Sequence, residues 1–171
     1  MLKGTQVYLR AMEPQDLELL YQWENNPANW EVSGTLTPYS KNQLKQFIED
    51  SQHDIFTLKQ ARFMICKKDS NVIGTLDLFE FDPQHKRAGV GILIGDESER
   101  NKGFALEALQ ILSNYAENKL HLTQLFCTIS SKNSPSIRLF EKAGYTLAGT
   151  KKSWLQHKEG LHDACFYQLI F

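Results

Sequence analysis

The sequence predicts an α/β (α+β) fold in which a central mixed, mostly antiparallel twisted sheet of about seven strands is flanked by about four helices. Three observations carry this expectation. Strand-length apolar or alternating runs recur between residues 62 and 94, apolar residues at helical spacing occur on both sides of that block, and two polar loops each lead from a strand-like run directly into a helix-like one. No repeat, low-complexity tract or linker interrupts residues 1–171, and with 42% apolar composition the chain fits one domain with a self-sufficient core.

Residues 6–10 alternate apolar and polar side chains and read as the first strand. Pro14-Gln15-Asp16 then opens an amphipathic helix through Leu17, Leu20, Tyr21 and Trp23. Asn25-Asn26-Pro27 stops that helix, because a proline pushes the residue before it out of the helical region. Residues 28–38 read as irregular. Ser40 and Gln43 have capping-box spacing, and Leu44, Phe47 and Ile48 give a second helix one apolar face, with its end near Gln52. Strand-like runs at 62–67, 72–81 and 88–94, punctuated by 68–71 and 82–85, predict an antiparallel meander. A helix over 106–120, a strand over 124–129 and a short helix over 135–143 follow. Pro135 suits the first turn of that short helix and Gly144 its C-terminal cap. Two last strands, near 145–155 and 162–171, join at Lys158-Glu159-Gly160.

Composition excludes several function classes. Nineteen basic residues against 20 acidic leave a net charge of -1, so no overall field favours nucleic acid. Cys66, Cys127 and Cys165 are too widely spaced for a metal clip and odd in number, which fits a reducing, cytoplasmic setting. The five histidines are scattered without ligand spacing, so no metal is expected. No run approaches the ~18 apolar residues of a membrane span, and the first ten residues carry no signal-peptide core.

The stretch Arg100-Asn101-Lys102-Gly103-Phe104-Ala105 lies between an apolar strand and a helix. The first NH groups of a helix lack intrahelical partners, and the aligned peptide dipoles place partial positive charge there, so a diphosphate would satisfy both. Gly103 allows close approach to the backbone and Ala105 is small. A solvated loop with an ordinary helix start fits these six residues equally well. The downstream sequence decides between them.

Arg100 to Ala105, with two residues between Arg100 and Gly103 and one between Gly103 and Ala105, together with Asn133, the short helix through Phe140 and the closing Gly144-Tyr145, resembles the GNAT superfamily of acetyl-CoA-dependent N-acetyltransferases. Within it the chain resembles the ribosomal-protein N-acetyltransferase branch and the bacterial spermidine N-acetyltransferases near it, the latter at Asn25-Asn26, Pro38-Tyr39 and residues 80–88.

The resemblance implies that Arg100, Asn101, Lys102, Gly103, Phe104 and Ala105 hold the pyrophosphate of acetyl-CoA, and that the main chain of Ile92, Leu93 and Ile94 pairs with the pantetheine arm while the side chains pack. Asn133 falls where the family sets an amide against the pantetheine, although an N-cap is an equally physical role. Phe140 stands where many members have a tyrosine that protonates the departing thiolate. It has no proton to give but can pack against the thioester. A primary amine, with a polyamine such as spermidine ahead of a protein N-terminus, is the implied acceptor. A non-catalytic acyl-CoA or polyamine sensor is the reading from another class, and a homodimer or larger homo-oligomer is the implied assembly.

Acceptor-side candidates follow from charge. Glu80 is the first choice for the base, directly or through water, because the resemblance to the spermidine enzymes implies an acidic substrate contact at its place. Strict alternation puts Leu78, Glu80 and Asp82 on one face and Asp77 on the other, so without a bulge only one of Asp77 and Glu80 lines the site. Asn25, Glu31 and Glu80, with Glu24, Asn26 and Trp30 nearby, are the substrate-binding candidates, since acidic and aromatic groups suit a cationic amine. Cys127 has no activating neighbour in sequence, so direct transfer without an acyl-enzyme is expected.

Overall fold

The computed structural model describes the backbone of residues 1–171 and all side chains except those of Glu31 and Val32. An eight-stranded sheet runs in the order β1 (Leu2–Lys3), β2 (Val7–Ala11), β3 (Ala61–Lys67), β4 (Val72–Asp82), β5 (Arg87–Ile94), β6 (Gln124–Ser130), β8 (Gly160–Ile170), β7 (Thr146–His157). Every neighbouring pair is antiparallel except β5 and β6. The predicted class holds, with one strand more than expected: Leu2–Lys3 pairs with Tyr8 and Leu9 as a short edge.

Six α-helices cover the sheet: α1 (Leu17–Glu24), α2 (Pro27–Ser33), α3 (Lys41–Asp50), α4 (Ile55–Leu58), α5 (Phe104–Asn118) and α6 (Ser134–Lys142). The α2 helix replaces the irregular segment expected at 28–38. Asn26 caps it by accepting from Ala28 N, Pro27 occupies its first turn, and Gly34 closes it at φ +71°. The four-residue α4, also unforeseen, is started by Asp54, which accepts from Phe56 N and Thr57 N. The capping box of Ser40 and Gln43 forms as its spacing predicts.

Two apolar layers result. Leu76, Leu78, Ala88 and Val90 pack with Leu109, Leu112 and Leu125 against α5 and α6. Met64, Cys66, Leu20, Trp23, Leu44 and Ile48 form the second layer under α1 and α3. Glycines 89 and 91 of β5 face this second layer: a Cβ at Gly89 would strike the Phe79 ring and one at Gly91 would lie 3.8 Å from Asp77 Cβ.

Strict alternation fails near the end of β4. The register with β5 shifts between Phe79 and Asp82, Glu80 sits at φ +48°, and Leu78 and Phe81 both join the α5-side core. A bulge therefore reverses the facing of the strand after Phe79.

Candidate active site

The parallel contact of β5 with β6 is brief. It comprises Arg87↔Gln124, Ala88↔Leu125 and Gly89↔Phe126, so from Val90 onward the β5 edge toward β6 has no strand partner. Ile92 and Ile94 meanwhile pack on the α5-side core and Leu93 on the α1-side core. Side chains are thus committed to packing while a main-chain edge stays open. One carbonyl on this stretch is engaged: Ile94 O accepts from Arg100 Nε at 3.0 Å.

The open edge leads to the predicted anion cradle. Asn101 at φ +62° and Gly103 at φ +90° turn the chain into α5, whose first residue is Phe104. Nothing lies within 4 Å of where a Gly103 Cβ would be, so the space beside this turn is clear. Glu107 N is bonded to Gly103 O, which leaves the NH groups of the first turn for a ligand. Residues 92–105 therefore fit an elongated ligand with an anionic group at the helix end.

The basic side chains of the cradle serve the loop itself. Besides Ile94 O, Arg100 reaches Glu97 at 3.4 Å and Asn29 Oδ1 at 3.5 Å, tying the loop to α2. Lys102 Nζ and Lys67 Nζ both bond the Glu99 carboxylate at 2.9 Å and hold its pKa below the usual carboxylate value. Asn29 was not singled out in sequence. It is buried, and its amide donates to Trp23 O at 3.0 Å.

Asn133 is the N-cap of α6: its Oδ1 accepts from Ser136 N at 3.2 Å. Phe140 is 4% exposed and packs edge-on against Tyr145 at 5.0 Å in the α5-side core. Burial pushes the Tyr145 hydroxyl well above its ordinary value and the Cys127 thiol up to about 12, so neither is poised to ionise.

Across β5 from the open edge lies an acidic cluster. Arg62 of β3 binds Asp77 through Nε (2.6 Å to Oδ1) and Nη2 (3.1 Å to Oδ2), and binds Glu24 through Nη1 (2.5 Å). Its guanidinium also lies over the Phe47 ring, 5.1 Å from the centroid. Burial opposes the charge on Arg62, but Asp77 and Glu24 outweigh it and raise its pKa above the ordinary value. Phe47, Gln60, Arg62, Asp77 and Phe79 line a cavity of about 220 Å³. A larger hollow of about 310 Å³ beside the N-terminal strand includes Lys3 and Lys68 but no carboxylate in its lining, and so suits an amine less well.

Sequence expectations on this side meet a mixed outcome. Glu80 is exposed at the bulge and Asp77 lines the cavity; the bulge corrects the expectation of strict alternation, which had set these two carboxylates on opposite faces. Asn25 spends its amide on the Tyr39 backbone, at 2.7 Å and 3.0 Å, and so shapes the loop wall. Trp30 donates its indole NH to Glu24 O at 2.9 Å. The side chain of Glu31 lies outside the described residues. Arg62 was missed, although an arginine within an apolar strand is a signal of a buried partner.

A family model described as the acetyltransferase (GNAT) domain matches residues 6–146. The spermidine N(1)-acetyltransferase of Vibrio cholerae is 27% identical over 147 residues, covering 85% of this chain and 82% of the relative. An uncharacterized N-acetyltransferase of Bacillus licheniformis, p20, is 29% identical over 164 residues, covering 95% and 91%. Among solved structures, spermidine N-acetyltransferase from Vibrio cholerae in complex with CoA and spermine superposes with a TM-score of 0.88 at 23% identity, covering 98% of this chain and 96% of the other, which shows the shared fold.

Proposed function

Because the chain belongs to the GNAT acetyltransferase family, we propose that it transfers the acetyl group of acetyl-CoA to a primary amine of a polyamine such as spermidine, by direct attack within a ternary complex. One observation carries this reading. The unpartnered β5 edge and the Gly103 turn form a continuous track for the acyl donor, and the Glu24–Arg62–Asp77 cluster borders the same strand on its other side.

Acetyl-CoA, when bound, supplies an activated thioester carbonyl and a thiolate leaving group. The protein supplies position. Main-chain groups of Ile92, Leu93 and Ile94 align the donor in strand fashion, the first turn of α5 with Asn101 to Ala105 takes the diphosphate, and the Asn133 amide nitrogen is left for an acceptor once Oδ1 has capped α6. Such alignment supplies several kcal/mol of the barrier reduction. The acceptor reaches the site as an ammonium and must lose a proton before its nitrogen forms the new bond to the acyl carbon. Two β4 carboxylates, Glu80 and Asp77, are available to take it, directly or through water. Negative charge at Glu24 and Asp77 favours a cationic acceptor.

The expected assembly is a homodimer or larger homo-oligomer in the cytoplasm, and light scattering reads the former. A phenylalanine at position 140, which has no proton to give, is the support for the sensor reading. Mass-spectrometric detection of acetylated product with spermidine, spermine, putrescine and N-terminal peptides separates the readings. Saturable product with a polyamine supports the proposal, and product with peptides alone transfers it to protein N-termini. Acetyl-CoA binding without any product favours the sensor.

A further inference from the structure

We propose that Asp77 is the carboxylate that receives the acceptor's ammonium group, oriented by Arg62 and approached through the gap above Gly91. The inference rests on the acetyltransferase reading of the same site and assigns its acceptor subsite.

Placement is the first argument. Asp77 pairs across the sheet with Gly91, just beyond Gly89, the last β5 residue paired to β6. The carboxylate therefore stands beside the point where the strands part. A Cβ at Gly91 would lie 3.8 Å from Asp77 Cβ and 3.9 Å from Oδ2, so glycine leaves a methyl-sized gap in contact with that oxygen. Glu80, within the bulge, has no partner position on β5.

Charge is the second. Two carboxylates against one guanidinium leave the cluster at -1, formed by Glu24, Arg62 and Asp77. Asp77 is the most exposed member, its side chain 25% accessible against 19% for Arg62 and 13% for Glu24, so its remaining lone pairs are the ones a ligand can reach. Three Arg62 donors already bind carboxylate and its face covers Phe47, which fixes Asp77 in one orientation.

The surroundings fit the rest of an aliphatic amine. Phe79 covers Gly89 and continues to Phe126 at 6.1 Å and then to Phe166 at 5.5 Å. This aromatic row offers a surface for methylene groups next to a carboxylate for the ammonium. The subsite is thus built for a primary ammonium on an apolar stem.

The test combines kinetics with binding. For wild type, Asp77→Asn and Gly91→Val, kcat and KM for spermidine are measured at saturating acetyl-CoA, acetyl-CoA Kd by calorimetry, and spermidine Kd on the CoA-saturated protein. A lost charge-assisted hydrogen bond corresponds to about a tenfold or larger fall in amine kcat/KM. Both variants are expected to show it with acetyl-CoA Kd within about twofold of wild type. Gly91→Val disturbs no ion pair and keeps the test informative if Asp77→Asn folds poorly. Arg62→Lys, which keeps the charge but loses the fork, raises amine KM several-fold without moving acetyl-CoA Kd, a split that lost stability alone does not produce.

If wild type acetylates spermidine and the variants match it, the subsite is refuted and the enzyme reading survives. If wild type makes no product yet binds spermidine in an Asp77-dependent way, the subsite stands and the enzyme reading falls. Absence of both product and binding overturns both.

Discussion

The two sides of β5 are built by different means. The proposed donor side is continuous in sequence: one strand edge, one turn and one helix start, all within residues 92–105. The proposed acceptor side draws on Glu24 of α1, Arg62 of β3, Asp77 of β4 and Gly91 of β5, which meet only after the sheet has formed. A backbone-built site depends on φ, ψ and an open edge, and its side chains are free to serve the loop. A side-chain-built site depends on charge balance among distant residues. The two sides should therefore fail differently when damaged.

The largest effect is expected at Arg62. Arg62→Met leaves two carboxylates, each less than one-third exposed, without their counter-charge. Removing one partner of such a network destabilises by about 3 kcal/mol. Urea denaturation measures it. A loss below about 1 kcal/mol would class the cluster with ordinary surface ion pairs.

Gly103→Val tests the donor side. With no neighbour within 4 Å to strike, the stability cost comes from φ +90° alone, about 1–2 kcal/mol for a left-handed side chain. Acetyl-CoA affinity falls at least tenfold while amine binding to the remaining folded protein is retained. A folded variant with unchanged acetyl-CoA Kd removes Gly103 from the cradle.

This asymmetry also explains what could be read from the chain. The strand-to-helix turn at Arg100 to Ala105 and the start of α6 depend on local rules, so residue type and spacing marked them, as they did the Ser40 box and the Asn25-Asn26-Pro27 stop. The role of the β5 edge came from the family resemblance. The α2 helix is hidden because Asn26 and Pro27, which mark a helix stop, also supply an N-cap and first turn. The relative facing of Asp77 and Glu80 is hidden for a different reason. Period-two reasoning holds only while the ladder is regular, and the bulge at Glu80 has no reliable sequence mark. Arg62 could be seen as an anomaly in an apolar run, but its partners lie 15 and 38 residues away, on other elements.

Acid pH gives a smaller, donor-side effect. Hydrogen bonds from Lys67 and then Lys102 hold the folded-state pKa of Glu99 below its ordinary 4.5. A depressed carboxylate contributes stability above the unfolded value and loses it as pH falls through the folded one. Wild type should melt above Glu99→Gln at neutral pH, and the two Tm curves should converge on acidification below about pH 4.5. Parallel curves down to strongly acidic pH would show that Glu99 does not report this linkage.

The smallest change in turnover is expected at position 140, where Phe140→Tyr restores the hydroxyl that the family resemblance associates with thiolate protonation. The Phe140 ring is buried against Tyr145, whose own hydroxyl already lacks a hydrogen-bond partner among the described residues. A second hydroxyl there meets the cost of burying a polar group, about 1–3 kcal/mol unless it reaches a partner. The leaving thiol has a pKa only about 1–2 units above neutrality and departs without much help. The variant should therefore lose stability and keep kcat within about twofold of wild type. A tenfold rise in kcat would instead place residue 140 at the thioester, make thiolate protonation the slow step, and show that donor-side chemistry, like acceptor-side binding, depends on a side chain brought in from a separate element.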